Sequence, residues 1–592
     1  MAGDIELSSQ TLSVQTLYRM FRDGEFYVDR RYQRKLVWTL EEKQKLVDSV
    51  LRDFPIPLVL LSRKGTETQS YDIIDGLQRL HTLLSFVENA FPTSAGKYFD
   101  VRELPRASQS AKEDGREIIE APDQLLSPTE CAAFSEYVLP ITIVERADAD
   151  AIIKIFERIN SYGRRLSEQE QRQAGLTSRF SQLVRELACE IRGDASEENV
   201  PLAVMPEISV QGVRTVHGYG ISAETTFWSK EGVLHFSSLR DSLDEQVIAD
   251  VLACILSGEP IQRSRASLDK IYTPGSKEFE RIESSLSGYG EDDLKRDFLT
   301  VFDRIRLVCE HLPEGVKLQG LVAQGAHHNE ISTIFAAIFL AFYELIVKKG
   351  MDVSNYDALV TSLGELNVTT QRKAIEPIKR RANINSIKGS VQDAFAEDDV
   401  RDIPLGKPLV YTFENSLRRS RIELPHYEFK QGLVDLSDKR NFNDGVLDDI
   451  VQTICGMANI EPNRDSYIYI GVTDKDADAD RIASIDAIDP VTFEGRHVVG
   501  VGREAKLLGL SLDDYIMKIK NKIGGSQLSD HLKMSTLSKL DCFVYSNLDV
   551  FRIVVPGQAQ MSFLGNATYD RHGSSTVQIA ITEIPQIARR FA

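Results

Sequence analysis

Over the first 175 residues, hydrophobic positions fall into short blocks with two spacings. Val59-Leu60-Leu61 and Tyr71-Asp72-Ile73-Ile74-Asp75 are compact runs of the kind that forms strands. Residues 41–51 and 77–86 repeat apolar positions every three to four residues, which predicts helices. From about 175 to 394 the helical spacing takes over, with apolar repeats near 247–256, 298–309 and 331–347. From Pro404 onward strand and helix patterns alternate: strands near 427–429, 467–472, 542–544 and 550–554, and helices at 445–458 and 512–523. The expected fold class is a multidomain α+β and α/β protein. It has an α/β module over 1–175, a helical middle over 176–400 and a second α/β module over 401–592. The acidic run Glu397-Asp398-Asp399-Val400-Arg401-Asp402 marks the last boundary.

Composition narrows the function. The 592 residues include 88 acidic and 70 basic side chains, a formal net charge of −18. Such a balance excludes a protein that coats nucleic acid with its whole surface, so any such contact needs a local basic groove. The most apolar stretch, 331–342, is too short to cross a bilayer and runs straight into Glu344, Lys348 and Lys349, so it reads as a buried helix and no membrane partner is expected. The N-terminus is acidic and carries no apolar leader-like region. Six scattered cysteines without a CxxC pair fit a reducing, cytoplasmic setting and give no zinc signature. No GxxxxGK[ST] segment occurs, which excludes a P-loop by motif.

Two constellations carry chemistry. In the first, the strand Tyr71–Asp75 passes through Gly76 into a helix that opens Leu77-Gln78-Arg79. Glycine permits a tight turn, and the free amides of a helix start favour an anion. A cation such as Arg79 in the first turn opposes the helix dipole unless an anionic ligand sits there. Asp75 is placed to hold a divalent cation bound to such a phosphate. Gln33 and Arg34 upstream, and Arg158 and Asn160 downstream, add polar groups. An ordinary strand–helix junction, with Asp75 as a cap and Arg79 in solvent, fits the same spacing.

The ordered set YQR-x-x-V-W, Pro55-Ile56-Pro57, DG-x-QR and F-x-RIN-x-x-G-x-x-L-S-x-x-E resembles the ParB-like N-terminal domain of GmrSD-type modification-dependent restriction enzymes. This resemblance implies nucleotide (GTP or ATP) binding and hydrolysis, with sensing of foreign or modified DNA. Asp75, Gly76, Gln78 and Arg79 take the nucleotide-site positions, and Gln33, Arg34, Arg158 and Asn160 support them. Where that family's motif has DGQQR, this chain has Leu77 in place of a polar residue.

The second constellation is Glu423-Leu-Pro-His-Tyr-Glu428-Phe-Lys430. Residues two apart on a strand share a face, about 6.6 Å apart, so Glu428 and Lys430 should project together, with Tyr427 and Phe429 on the other side. Asp474 follows the apolar run 467–472. If the two strands are neighbours, Glu423, Glu428 and Asp474 converge. Crowded carboxylates repel unless a cation such as Mg²⁺ or Mn²⁺ neutralises them, and Lys430 would face a phosphate. A surface strand of alternating charge fits the same pattern. Arg418, Arg419 and Arg421 precede Glu423, and Lys518 and Lys522 share a helix face, a source of phosphate contacts.

This half resembles the Schlafen-AlbA domain: E-x4-E-F-K, a helix ending at Asn459, Y-I-G-V-T-D474, and Tyr569-x-Arg571-x-Gly573-Ser-Ser-Thr576. The resemblance implies a metal-dependent RNase site of Glu423, Glu428, Lys430 and Asp474, with Arg571 on backbone or phosphate. The expected function is an antiviral defence protein with a nucleotide-driven sensor and a nuclease effector. RNA is the expected substrate and DNA the alternative. A non-enzymatic nucleotide- or DNA-binding regulator is the rival, and a homo-oligomer remains an open expectation.

Overall fold

A computed structural model describes every residue except 1–5, 31–34, 65–69, 105–123, 147–154, 156–166, 174–177, 195–198, 206, 210–219, 324–329, 367–374, 398–412, 415, 418–424, 463, 494, 547, 574, 581 and 592. The chain forms two compact units, Met1–Arg401 and Asp402–Ala592. The mixed α/β, multidomain class read from the sequence is what the chain adopts, with a main sheet in each unit and helices filling the middle.

The first unit opens on a six-stranded sheet. Its strands are β1 (Glu6–Ser13), β2 (Phe26–Asp29), β3 (Val59–Arg63), β4 (Tyr71–Asp75), β5 (Val138–Arg146) and β6 (Asn199–Pro201), in the order β1-β5-β3-β4-β2-β6. The pairs β2–β4 and β3–β5 are parallel and the rest antiparallel. Ile73 and Ile74 are fully buried, so β4 is covered on both sides and reads as a continuous apolar run. Helices α1 (Val14–Arg22), α2 (Leu40–Leu51) and α3 (Leu77–Val87) supply the cover. α2 begins at a capping box: Thr39 Oγ1 accepts from the Glu42 amide at 3.3 Å, and Glu42 Oε2 accepts from the Thr39 amide at 2.9 Å. Such a cap is worth ~1 kcal/mol.

Helices α4 (Arg179–Arg192) and α5 (Leu243–Ser257) begin the helical part of the same unit. The apolar stretch near 331 forms the buried helix Ser332–Tyr343, with Phe339 4.5 Å from Phe298 and Phe335 5.4 Å from Trp228, ring to ring. Each such aromatic pair adds about 0.5–1.5 kcal/mol beyond area burial. Among the described residues no helix is long and apolar enough to cross a membrane.

The second unit is built on β7 (Tyr427–Lys430), β8 (Ser466–Ile470), β9 (Leu540–Tyr545) and β10 (Leu548–Val555), in the order β7-β8-β10-β9. β7 and β8 run parallel, Glu428 opposite Ile468 and Lys430 opposite Ile470. On one face, Ile468 and Ile470 pack under α6 (Asp444–Ala458) and α7 (Leu512–Gly525). On the other, Tyr427, Tyr469, Val472 and Val498 form a separate cluster. The run 467–472, expected as one strand, breaks at Gly471, whose φ of 105° lies in the left-handed region. Beyond it Val472–Thr473 pairs with Arg496–Val498 in a different, three-stranded sheet.

Candidate functional site

At the front, β4 ends at Asp75 and α3 starts two residues later. Gly76 has φ 94°, and a Cβ there would sit 2.9 Å from Val59 Cγ2, so both backbone conformation and close packing require glycine. Arg79 reaches back from the first turn. Its Nη2 donates to Asp75 Oδ2 at 2.8 Å and to the Leu58 carbonyl at 2.9 Å, while its buried Nε makes no hydrogen bond among the described residues. The Asp75–Arg79 pair stays partly exposed. Gln78 points inward: its Oε1 accepts from the Val37 and Trp38 amides at 3.1 and 3.2 Å, and its Nε2 donates to the Lys35 carbonyl at 2.6 Å. The structure therefore joins Asp75, Gly76 and Arg79 at one turn and gives Gln78 to the chain on either side of Leu36. Gln33, Arg34, Arg158 and Asn160 lie outside the described residues.

A buried ion cluster that the sequence does not announce is joined to this turn through Lys35 and Gln78. Lys35 Nζ is 3.0 Å from Glu245 Oε1 and 3.6 Å from Asp244 Oδ1. Arg192 pairs with Asp244, and also with Glu245 at 3.3 Å and Asp194 at 3.2 Å. Arg30 closes the cluster on Asp194 at 2.9 Å. All six side chains are buried. Burial alone would push the Asp194 carboxyl up, but Arg30 and Arg192 hold it well below the usual carboxylate range. The partners are up to 210 residues apart in sequence, so no local pattern announces them.

Residues 14–177 match the family model described as GmrSD restriction endonuclease, N-terminal domain. The front of the chain is similar to that domain. No curated protein and no solved structure matches the chain. The GmrSD-type match takes in the Asp75–Arg79 turn and Lys35, and it ends before Arg192, Asp194, Asp244 and Glu245.

In the second unit Glu428 and Lys430 do project from one face of β7, with Glu428 Oε1 2.9 Å from Lys430 Nζ. Glu428 Oε2 is 2.9 Å from Arg571 Nη2. The Arg571 side chain is 1% exposed, and it also donates to the carbonyls of Pro425 and Tyr427, each at 3.3 Å, and to Thr576 Oγ1 at 2.9 Å. Its guanidinium thus faces inward, onto β7 and Glu428.

Asp474 does not join this group. The kink at Gly471 carries Val472–Thr473 into the three-stranded sheet, and Asp474 follows just beyond that strand, its side chain 64% exposed and Arg496 3.9 Å away. Arg496 in turn stacks 4.2 Å from the Phe429 ring. Phe429 leaves β7 on the side opposite Glu428 and Lys430, because neighbouring strand residues alternate. Glu423 lies outside the described residues, as do Arg418, Arg419 and Arg421. Among the described residues no group of three or more His, Cys, Asp or Glu side chains could hold a metal ion. The described residues alone therefore do not fit Mg²⁺ or Mn²⁺ at Glu428. Of the helix lysines, Lys522 pairs with Asp448 at 2.6 Å and Lys518 lies 5.2 Å over the Phe442 ring.

The loop after Lys430 is held by a buried carboxylate. Glu504 is fully buried and accepts from the Leu433 and Val434 amides at 2.6 and 3.1 Å and from the Tyr515 hydroxyl at 2.7 Å. Arg503 donates to the Gln431 carbonyl at 2.7 Å. These contacts fix the exit of β7.

Proposed function

We propose that the chain is a cytoplasmic defence nuclease in which a GmrSD-type N-terminal domain, binding GTP or ATP at the Asp75–Arg79 turn, controls nucleic-acid cleavage by the second unit. The match of residues 14–177 to a restriction-endonuclease domain carries this reading. At the front, a nucleotide phosphate would take Asp75's place on Arg79, whose Nε is without a partner among the described residues. In the second unit, Lys430 is 29% exposed and offers an ammonium to a phosphodiester, while Arg571 and Lys430 fix the direction of Glu428. The resemblance of residues 410–592 to Schlafen-AlbA nucleases supports cleavage of RNA. The name of the matched family supports DNA at least as strongly.

The test is incubation of purified full-length protein with plasmid DNA, phage DNA and total tRNA. Each substrate is tried with and without GTP or ATP, and with Mg²⁺, Mn²⁺ or EDTA. Cleavage that disappears in Glu428→Ala and Lys430→Ala supports the nuclease, and the substrate cut decides between DNA and RNA. A second reading, a regulator that binds nucleotide or DNA without cutting, is favoured by one observation: both Glu428 oxygens already face cations. Binding of DNA or nucleotide with no cleavage in any arm would establish that reading.

A further inference from the structure

We propose that Lys35 is a positioning residue for the Asp75–Arg79 turn, so that the nucleotide site of the front domain is completed by the helices that follow it. This rests on the nucleotide reading above. Two observations meet at Lys35. Its carbonyl accepts from Gln78 Nε2 at 2.6 Å, and Gln78 Oε1 takes the Val37 and Trp38 amides, so the segment 35–38 and the start of α3 are stitched together through one side chain. The Lys35 ammonium is anchored on α5 and the turn before it, through Glu245, Asp244, Ser242 Oγ at 3.1 Å and the Leu239 carbonyl at 3.3 Å. Gln78 is the neighbour of Arg79 on the chain. A shift of α5 would therefore be felt at Arg79 through a lysine and a glutamine, all of them buried contacts with little room to slip.

The chemistry of the cluster explains why its wiring matters beyond stability. Arg30, Lys35 and Arg192 pair with Asp194, Asp244 and Glu245, all removed from water, and the buried Arg185 adds a further positive charge near Glu245. Deleting one charge strands its partner, while deleting an oppositely charged pair leaves the balance intact. Stability and positioning can thus be separated. The single change Lys35→Met removes both. The pair Lys35→Met with Glu245→Gln restores the charge balance and leaves the segment 35–38 without its anchor.

The experiment measures binding of fluorescent GTP and ATP analogues to the full-length protein, alongside its thermal midpoint. Wild type should bind, and Arg79→Ala should not. The Lys35→Met/Glu245→Gln pair should regain most of the midpoint lost in Lys35→Met, yet bind nucleotide ~10-fold or more weakly, a factor set by one misplaced contact. In a Gln78→Met background the Lys35 and Glu245 changes should have no further effect on affinity, because they act through Gln78. Wild-type affinity in the charge-balanced pair, or losses that simply multiply with Gln78→Met, would show that Lys35 only stabilises the fold. Absence of binding by wild type itself overturns the nucleotide reading and this inference together. Binding by wild type that is lost in Arg79→Ala, but insensitive to Lys35, overturns the inference alone.

Discussion

Arg571 Nη2 lies 2.9 Å from Glu428 Oε2, joining two residues 143 positions apart, and the same guanidinium holds the carbonyls on either side of His426. This arginine fixes both the strand and the acid. In Arg571→Ala, Glu428, 12% exposed, keeps only Lys430 among the described residues, and breaking such a largely buried pair by removing one partner costs up to ~3–5 kcal/mol. Calorimetry of the full-length protein should show a clear fall in the transition of the second unit. Arg571→Lys should recover only part of it, since an ammonium cannot serve Glu428, Thr576 and two carbonyls at once. A melting profile unchanged by Arg571→Ala would remove the structural role assigned here.

The sequence discloses this arrangement unevenly, for physical reasons. Local patterns were legible: β4, α3, the buried helix at 332–343 and the strand–helix order after 427 all follow from apolar spacing. The alternation rule also places Glu428 and Lys430 together. What spacing does not carry is where a strand bends. Gly471 turns the 467–472 run into two strands of two sheets, so Asp474 leaves the face that holds Glu428. Nor does spacing tell an arginine that meets solvent from one that faces inward. Arg571 and Gln78 both read as ligand contacts, yet Arg571 turns to Glu428, Thr576 and two backbone carbonyls, and Gln78 donates to the Lys35 carbonyl. The Lys35–Glu245 contact spans 210 positions and has no local signature.

Gly76 and Gly24 offer a matched comparison. Both have φ in the left-handed region, 94° and 72°. A Cβ at Gly24 meets nothing within 4 Å, whereas at Gly76 it meets Val59 Cγ2 at 2.9 Å and Val59 Cα at 3.2 Å. Gly24→Ala should therefore cost only the backbone term, ~1–2 kcal/mol. Gly76→Ala adds overpacking against a buried strand, for a total of about 2–5 kcal/mol. Thermal midpoints of the two variants measure the difference directly, and equal losses would refute the close approach at Val59.

Gly432 is constrained by a side chain rather than by its own backbone. A methyl group there would run into the Glu504 carboxylate, which already accepts two amides and the Tyr515 hydroxyl. Gly432→Ala should cost ~1–3 kcal/mol through overpacking and displace the loop that follows Lys430. The nuclease activity proposed for the second unit should fall with it. Glu504→Gln keeps the shape and weakens the acceptors, so it should perturb the loop less. A Gly432→Ala protein as stable as wild type would contradict the packing at Glu504.

Acid should weaken the first unit through its buried ion cluster. Burial alone would push the Glu245 carboxyl up, but Lys35 and Arg192 outweigh it and hold the group at about 2, below its ordinary value of 4.5. A folded-state value depressed in this way means that the unfolded chain takes up the proton first as pH falls. The contribution of Glu245 is therefore fully present above pH 4.5 and is lost progressively as pH drops from there toward about 2. Asp194, held down by Arg30 and Arg192 against its burial, adds a loss of the same sign as pH falls below its ordinary value of 3.8. Melting midpoints of the full-length protein should thus fall on acidification across this window. The Lys35→Met/Glu245→Gln protein should show a shallower fall in the upper part of it, because glutamine does not titrate. Parallel pH profiles for the two proteins would mean that Glu245 is not held down by its cationic neighbours.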